Sequence, residues 1–285
     1  MLDDILYFIL VAFISYFIGT INFSKIIAWH SRRKDITKVG SGNPGTMNML
    51  RSFGFVLALA TFVAEVVKSG LTCFVFQAIF PQYGQLIYFV SGFFVLMGYI
   101  FPVWSKFKGG KGVACFAGIF LFSSLWYVSL GWFVVCFILF MFISYACVIS
   151  FTYIGGLSIA YTLYIWLYLI SNGMPLSHAI AITAIIWVLY ALMLFMHRGN
   201  IKRLINHTEN KIDFKSKLKA VFCHKKGEQI IEEDQVPNAK PEAEVVVSVD
   251  EQEKSNSSDS TSHNEEQENT AEPQENPSKN NKDNK

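Results

Sequence analysis

The chain has little charge, and acidic residues are scarce outside its C-terminal part. Only 16% of its 285 residues are charged and 52% are hydrophobic, whereas about 25% of residues are charged in an average soluble domain. This composition excludes an ordinary soluble protein. It predicts an all-α integral membrane protein.

The part of the chain before Gly227 has few of the residues that metal-dependent or carboxylate-dependent catalysis needs. The region before Gly227 contains six acidic residues, with no carboxylate pair and no zinc-ligand spacing, so we expect neither a metal ion nor a cofactor. The five cysteines form no Cys-x-x-Cys pair and are interpreted as small hydrophobic residues. The remaining polar residues are mostly Ser, Asn, Gly, Lys and Arg, which suit phosphate binding and oxyanion stabilisation.

Charge divides the chain near Gly227. Residues 227–285 include 16 acidic and 5 basic residues, a net charge of −11, and residues 1–226 include 19 basic and 6 acidic residues, a net charge of +13. The acidic part is poor in aromatic residues and cannot bury enough apolar surface to offset chain entropy. We predict a membrane domain over 1–226 and a disordered acidic cytoplasmic tail over 227–285.

Seven segments are apolar enough to cross a bilayer, which requires about 20 residues per helix. They are Ile5–Ile27, Phe53–Phe80, Leu86–Val103, Val113–Val128, Trp132–Phe151, Tyr153–Ile170 and Leu176–Met196. Lysine and arginine are concentrated in the connections that follow the first, third and seventh segments. Because basic loops remain in the cytoplasm, we predict a bundle of seven transmembrane helices with the N-terminus outside and the C-terminus cytoplasmic. The first segment follows acidic residues and is too long for a signal peptide, so we expect it to be retained.

The first polar segment, Gly40–Arg51, reads Gly-Ser-Gly-Asn-Pro-Gly-Thr-Met-Asn-Met-Leu-Arg. This composition predicts a tight turn that opens a helix, whose free N–H groups can bind an anion. Asn48 and Arg51 are three residues apart and share one face of that helix. The alternative is an ordinary connecting loop with a capped helix.

The second polar segment, Phe101–Val113, contains three glycines and three lysines, Lys106, Lys108 and Lys111. Glycine lets the backbone approach a ligand closely, and the lysines supply positive charge for an anion. The spacing differs from a Walker sequence, so a nucleotide P-loop is not predicted. Lysines beside a membrane helix often do no more than set the orientation of that helix in the membrane. That role does not explain the glycines around Lys111.

The third polar segment, His197–Asn210, continues from the last apolar segment. If the helix persists, His197, Asn200 and Arg203 lie on neighbouring turns, which would place a base or donor beside two phosphate ligands. The alternative is an interfacial basic helix held by anionic lipid.

Glu65 and Lys68 are the ionisable residues inside the second apolar segment. Charged side chains at such depth are rare and are usually paired or functional. Their spacing of three allows a mutual ion pair, so we predict a structural pair within the bundle.

Together, the segments at 40–48, 107–114 and 197–204 resemble the three cytoplasmic motifs of the bacterial acyl-phosphate-dependent glycerol-3-phosphate acyltransferases, the PlsY family. The resemblance covers residues 1–215. It implies transfer of a fatty acyl group from acyl phosphate to the 1-hydroxyl of sn-glycerol 3-phosphate, which gives lysophosphatidate and inorganic phosphate in phospholipid synthesis. It also implies a multi-pass protein of the cell membrane with a cytoplasmic active site. The expected partners are the two substrates, membrane lipid and the enzyme that supplies acyl phosphate, and no nucleic acid is expected.

The resemblance implies a role for each motif residue. The glycine-rich backbone would hold the phosphates and the oxyanion, and the proton of the acceptor hydroxyl would pass to His197 or to the leaving phosphate. Ser41 is not favoured as a nucleophile, because no base is adjacent in sequence. The predicted catalytic residues are Ser41, Lys111, His197 and Asn200. The predicted substrate-binding residues are Gly42, Asn43, Gly45, Asn48, Arg51, Lys108, Gly109, Gly110, Gly112 and Arg203. The predicted supporting residues are Glu65, Lys68 and Glu209.

The chain departs from the family pattern at three places. Tyr99 stands where the family commonly has His in Gly-His-x-Phe-Pro, so we do not predict a catalytic role for it. Glu65 and Ser69 replace the usual Asp and Gly, and the pair at 152–153 reads Thr-Tyr in place of Arg-Tyr.

Two other classes of protein could use a basic cytoplasmic face. A transporter of a phosphorylated small molecule is expected to have polar residues along several helices and often inverted repeats, whereas the polar groups here are concentrated on one face. A lipid-binding scaffold would need charge alone.

Overall fold

In the computed structural model the described residues are 2–209 and 211, and they form helices and no strands. The helices are α1 (Leu2–Thr20), α2 (Phe23–Arg32), α3 (Thr46–Phe53), α4 (Phe55–Ile79), α5 (Gly84–Ile100), α6 (Val113–Leu121), α7 (Trp126–Ile143), α8 (Ala146–Tyr164), α9 (Leu176–Met196) and α10 (Arg198–Ile205). A π-helical turn, Ile165–Leu169, extends α8. The predicted acidic tail, 227–285, and its boundary at 226 lie outside the described residues.

Within the described part of the chain, six helical stretches are long and apolar enough to cross a membrane. They are Leu2–Arg32, Phe55–Ile79, Pro81–Ser105, Trp126–Ile143, Ala146–Leu169 and Leu176–Met196. Large apolar side chains lie exposed on their outer faces, as lipid contact requires; Phe142, for example, is 77% exposed. The prediction of an all-α integral membrane protein is confirmed.

The predicted fourth segment, Val113–Val128, is not one continuous helix. α6 ends at Leu121 after nine residues, a length of about 13 Å, which is too short to cross about 30 Å of hydrocarbon alone. Ser123 lies in the break and donates its hydroxyl to the carbonyl of Phe120, a local bond that competes with helix continuation.

Two other predicted segments are also interrupted. The predicted fifth segment, Trp132–Phe151, is divided by Ser144, whose positive φ of 60° ends α7. The predicted first segment, Ile5–Ile27, breaks at Asn22, which caps α2 by accepting a hydrogen bond from the Lys25 N–H at 3.0 Å. Asn is a favoured N-cap residue, so the residue type at position 22 is a local indication of the break between α1 and α2.

α5 lies at the centre of the bundle and carries the glycine-lysine segment at its end. A Cβ on Gly98 would lie 2.0 Å from the carbonyl oxygen of Tyr16, and one on Gly19 would lie 2.1 Å from that of Val95. Only glycine therefore permits α1 and α5 to pack with their backbones in contact, the small-residue packing typical of membrane helices.

The Glu65–Lys68 ion pair, with an O–N distance of 2.6 Å, stabilises the break between α1 and α2. Lys68 Nζ donates to the carbonyl of Ile21 at 2.6 Å, and Glu65 Oε1 accepts from the Phe23 N–H at 2.7 Å. The cation thus lies at the C-terminal end of α1 and the carboxylate at the N-terminal end of α2, as the helix dipoles favour. Glu65 is fully buried, so the pair is also part of the core.

Candidate active site

The three polar segments meet around one cavity of about 470 Å³. Segments that are far apart in sequence therefore share a site, which hydropathy alone could not establish. Of the predicted site residues, those that line the cavity are Ser41, Asn43, Gly45, Asn48, Arg51, Lys111, Gly112, His197, Asn200, Arg203 and Glu209.

Asn48 organises the loop that carries Ser41. Its Oδ1 accepts a hydrogen bond from the Ser41 N–H at 2.8 Å, and its Nδ2 donates to the carbonyls of Ile36 and Val39, both at 3.0 Å. The residue is 1% exposed, and both ends of its amide are bonded to backbone. This geometry lets Asn48 position the loop, and its predicted contact with substrate stays a prediction.

Two helix N-termini open onto the cavity. The first residues of α3, Thr46 and Met47, and those of α6, Val113 and Ala114, line it. Gly45 and Gly112 precede these helices without a side-chain cap, so neither cap residue supplies a side-chain partner for the first N–H groups. Two positive dipole ends therefore face one cavity, an arrangement that favours anions.

Lys111 belongs to a chain of polar contacts across the cavity. Its Nζ donates to Asn200 Oδ1, Asn200 Nδ2 donates to Glu209 Oε1 at 2.6 Å, and Arg203 Nε lies 2.8 Å from Glu209 Oε2. Burial lowers the pKa of Lys111 to about 8, although the nearby Glu209 carboxylate opposes the shift. Arg51 adds another cation, so positive groups outnumber the one carboxylate among the residues that line the cavity.

His197 is held in one tautomer. Its Nδ1 lies 2.9 Å from the carbonyl oxygen of Met193, and because a carbonyl only accepts, Nδ1 must donate. Burial, followed by the charge of Lys111, lowers the pKa of His197 to about 4. The ring is therefore neutral at pH 7, with an unprotonated Nε2 that can accept a hydrogen bond.

Several predicted site residues lie outside the cavity wall. Lys108 is exposed to solvent, and Gly42, Gly109 and Gly110 do not line the cavity. Gly110 instead packs behind it, where an added Cβ would lie 2.6 Å from the Tyr99 ring. Its glycine is thus explained by close packing on Tyr99.

Tyr99 joins the first loop to the second. Its hydroxyl donates to the carbonyl of Pro44 at 3.0 Å, which also accepts from Asn22 Nδ2 at 3.2 Å. On the other side, Lys68 Nζ lies 5.0 Å from the centre of the Tyr99 ring. Glu65 and Lys68 were predicted to support the site. Their ion pair contacts it indirectly, through the Tyr99 ring that lies beside Lys68.

Sequence reasoning missed the wall that α8 contributes. Ala146, Cys147 and Ser150 line the cavity beside Phe62 of α4. These residues lie in long apolar runs and form no motif with the polar segments, so nothing in the sequence marks them as part of a site.

An apolar groove of about 400 Å³ joins the cavity. It runs between α4 and α7 and is lined by side chains such as Leu59, Val63, Phe133 and Phe137. Its walls offer space for a hydrocarbon chain beside a cavity that suits an anion. The residues common to the groove and the cavity are Thr46, Met47, Phe62, Val113, Ala146 and Ser150.

Comparison with known proteins agrees with this combination of features. The sequence profile of the family described as glycerol-3-phosphate acyltransferase matches residues 9–207. The chain belongs to this family. A glycerol-3-phosphate acyltransferase of Thermoanaerobacter pseudethanolicus is 32% identical to it, over 75% of this chain and all of that protein. Glycerol-3-phosphate acyltransferase 2 of Bacillus anthracis is 33% identical, over 72% of this chain and 98% of that protein.

This acyltransferase also shares its fold with solved structures. The crystal structure of PlsY (YgiH), an integral membrane glycerol 3-phosphate acyltransferase, in its glycerol 3-phosphate form superposes with a TM-score of 0.61 and 26% identity, covering 75% of this chain and 98% of that one. The lysophosphatidic acid form gives a TM-score of 0.60 and 25% identity, covering 74% and 98%. The chain is therefore a multi-pass membrane acyltransferase, and the predicted resemblance is confirmed.

Proposed function

We propose that the protein transfers a fatty acyl group from acyl phosphate to the 1-hydroxyl of glycerol 3-phosphate and releases lysophosphatidate and inorganic phosphate. The observation that carries this proposal is the junction of a cation-rich cavity with an apolar groove. The phosphate end of an acyl phosphate suits the cavity, and its hydrocarbon chain suits the groove. An acyl phosphate is already activated, so transfer needs no covalent enzyme intermediate.

The cavity provides groups for two phosphates. Lys111, Arg51 and Arg203 supply positive charge, and the N-termini of α3 and α6 supply backbone N–H groups. In this proposal Ser41 and Asn200 orient the acceptor, and Glu209 holds Asn200 and Arg203 in place through its two hydrogen bonds. Charge-assisted bonds to phosphate are among the stronger contacts available to a protein.

Proton removal from the acceptor hydroxyl has two candidate acceptors in the cavity, His197 and the phosphate of the donor. His197 offers a free Nε2, but its pKa of about 4 makes it a weak base at pH 7. The phosphate of the donor becomes the stronger base as its bond to the acyl carbon breaks, because the leaving oxygen takes the electron pair of that bond. We therefore assign the proton of the attacking hydroxyl to the departing phosphate. His197 Nε2 then serves as a hydrogen-bond acceptor that orients the bound glycerol 3-phosphate.

We further propose seven passes through the cell membrane, with the N-terminus outside and the active site cytoplasmic. The proposal is supported by the three basic segments, which line one cavity and so lie on one face. α6 begins at that face and α8 also begins there. In this proposal the chain descends through α6 together with the turn at residues 122–125, since α6 alone is too short to cross, and returns through α7. Basic segments mark the cytoplasmic side.

The test is an assay of the purified full-length protein with labelled glycerol 3-phosphate and three alternative acyl donors: acyl phosphate, acyl-CoA and acyl carrier protein. We expect lysophosphatidate from acyl phosphate. Product from a thioester donor alone would refute the proposed donor. Vesicles that accumulate labelled glycerol 3-phosphate without forming lysophosphatidate would support a transporter instead.

A further inference from the structure

The carbonyl oxygen of Pro44 joins the first polar segment to two neighbouring parts of the fold. Pro44 is buried, and the residues on either side of it, Asn43 and Gly45, line the cavity. The Tyr99 hydroxyl donates to the Pro44 oxygen at 3.0 Å, and Asn22 Nδ2 donates to it at 3.2 Å. A carbonyl oxygen has two lone pairs, so these two hydrogen bonds use both of them.

The orientation of the Asn22 amide follows from its other contacts. Its Oδ1 accepts from the Lys25 N–H at 3.0 Å and from the Ser24 hydroxyl at 2.6 Å. A backbone N–H can only donate and a carbonyl can only accept, so Nδ2 must be the atom that faces Pro44. Asn22 is 7% exposed. One buried side chain therefore caps α2 with its oxygen and holds the loop before α3 with its nitrogen.

The Pro44 carbonyl controls how the first polar segment enters α3. A peptide group is planar, so the hydrogen bonds that fix the Pro44 oxygen also fix the direction of the Gly45 N–H and of the chain that follows. Gly45 has no side chain to restrict its own backbone. It precedes Thr46 and Met47, the first residues of α3, which line the cavity. The two donors thus supply a restraint that the glycine cannot supply.

We propose that Asn22 is a positioning residue for glycerol 3-phosphate. By holding Pro44 together with Tyr99, it keeps the first N–H groups of α3 and the turn at residues 41–43 directed at the substrate phosphate. Asn22 lines neither the cavity nor the groove, so it acts through Pro44 and does not touch the substrate. The inference rests on the proposed function, since it takes the anion at α3 to be the phosphate of the acceptor.

The experiment measures KM and kcat for glycerol 3-phosphate in Asn22→Ser, in Tyr99→Phe and in the double variant. Serine keeps an oxygen that can cap α2, but it has no amide to donate to Pro44. We expect each single variant to raise KM about threefold, the effect of one modest hydrogen bond. The double variant should raise KM about tenfold beyond the product of the single effects, because residues that share one partner are coupled. The kcat should stay within about threefold of wild type, since the phosphate contacts are present in both the ground state and the transition state.

Two controls separate positioning from stability. Partial unfolding lowers the amount of active enzyme, and hence the apparent kcat, without changing KM. Asn22→Ala should therefore have the KM of Asn22→Ser but a lower thermal midpoint, since it also removes the cap of α2. Tyr88→Phe matches Tyr99→Phe, because Tyr88 is a buried residue of α5 whose hydroxyl donates to the Ile119 carbonyl and which lines neither cavity nor groove. Combined with Asn22→Ser, it should leave KM at the value of Asn22→Ser alone.

Wild-type KM in Asn22→Ser would overturn the inference, whether or not the double variant folds. A double variant with Tyr99→Phe whose KM does not exceed the product of the single effects would also overturn it. So would an equal rise in KM when Tyr88→Phe replaces Tyr99→Phe in the combination. Absence of lysophosphatidate from the wild-type protein would instead refute the proposed function, and the dissociation constant of glycerol 3-phosphate, measured by calorimetry in the same variants, would still test the inference.

Discussion

The protonation state of Lys111 predicts how activity depends on pH. Its pKa of about 8 lies well below the value of about 10.4 for a free lysine, because burial disfavours the ammonium. If the charged form binds substrate phosphate, kcat/KM for glycerol 3-phosphate should fall about tenfold for each pH unit above 8. At pH 9 it should be about one-tenth of its plateau. A bound phosphate raises the pKa of a neighbouring ammonium, so kcat at saturation should be less affected.

Lys111→Arg separates charge from geometry. Its guanidinium stays protonated over this pH range, so the variant should lack the alkaline fall in kcat/KM. Its turnover at pH 7 should nevertheless drop sharply, since a planar fork replaces the compact ammonium that bonds Asn200. The assay follows labelled lysophosphatidate from pH 7 to 10, corrected for spontaneous hydrolysis of acyl phosphate, with the exposed Lys106→Arg as control. A flat wild-type profile to pH 9.5, or the same alkaline fall in Lys111→Arg, would refute the reasoning.

Three further predictions follow from the packing around the site. Glu65→Ala should destabilise the fold by about 3–5 kcal/mol, because it leaves Lys68 buried without its anion; the measurement is thermal or denaturant unfolding in detergent, and the double variant with Lys68→Ala should lose less than the sum. Tyr99→Phe should retain acyl transfer and lose about 0.5–1.5 kcal/mol of stability, since Asn22 still bonds Pro44; abolished turnover in a folded variant would show that Tyr99 is catalytic. Gly110→Ala should displace the glycine loop from Tyr99 and raise KM for glycerol 3-phosphate, and unchanged kinetics would contradict this packing.

The fold was predictable where hydropathy alone decides it. The last span, Leu176–Met196, has the predicted bounds, since a polar connection precedes it and a charged segment follows. The breaks at Asn22, Ser123 and Ser144 were not predicted, because they depend on single backbone conformations and caps within apolar runs. Hydropathy averaged over a window does not detect such local bonds.

The site was predictable where residues carry charge or polarity in a motif. Lys111, His197 and Asn200 do meet at one cavity. Sequence could not show which way a side chain points, so it did not predict that the amide of Asn48 bonds the loop backbone. It also could not identify Ser150, because packing alone brings α8 to the cavity.

The stoichiometry of the reaction catalysed by the purified full-length protein tests the central claim most directly. Lysophosphatidate and inorganic phosphate would be measured together after addition of acyl phosphate and glycerol 3-phosphate, with spontaneous hydrolysis subtracted. We expect one phosphate for each lysophosphatidate and little of either with Lys111→Met. Phosphate release without lysophosphatidate, or equal rates in Lys111→Met, would contradict acyl transfer at this site.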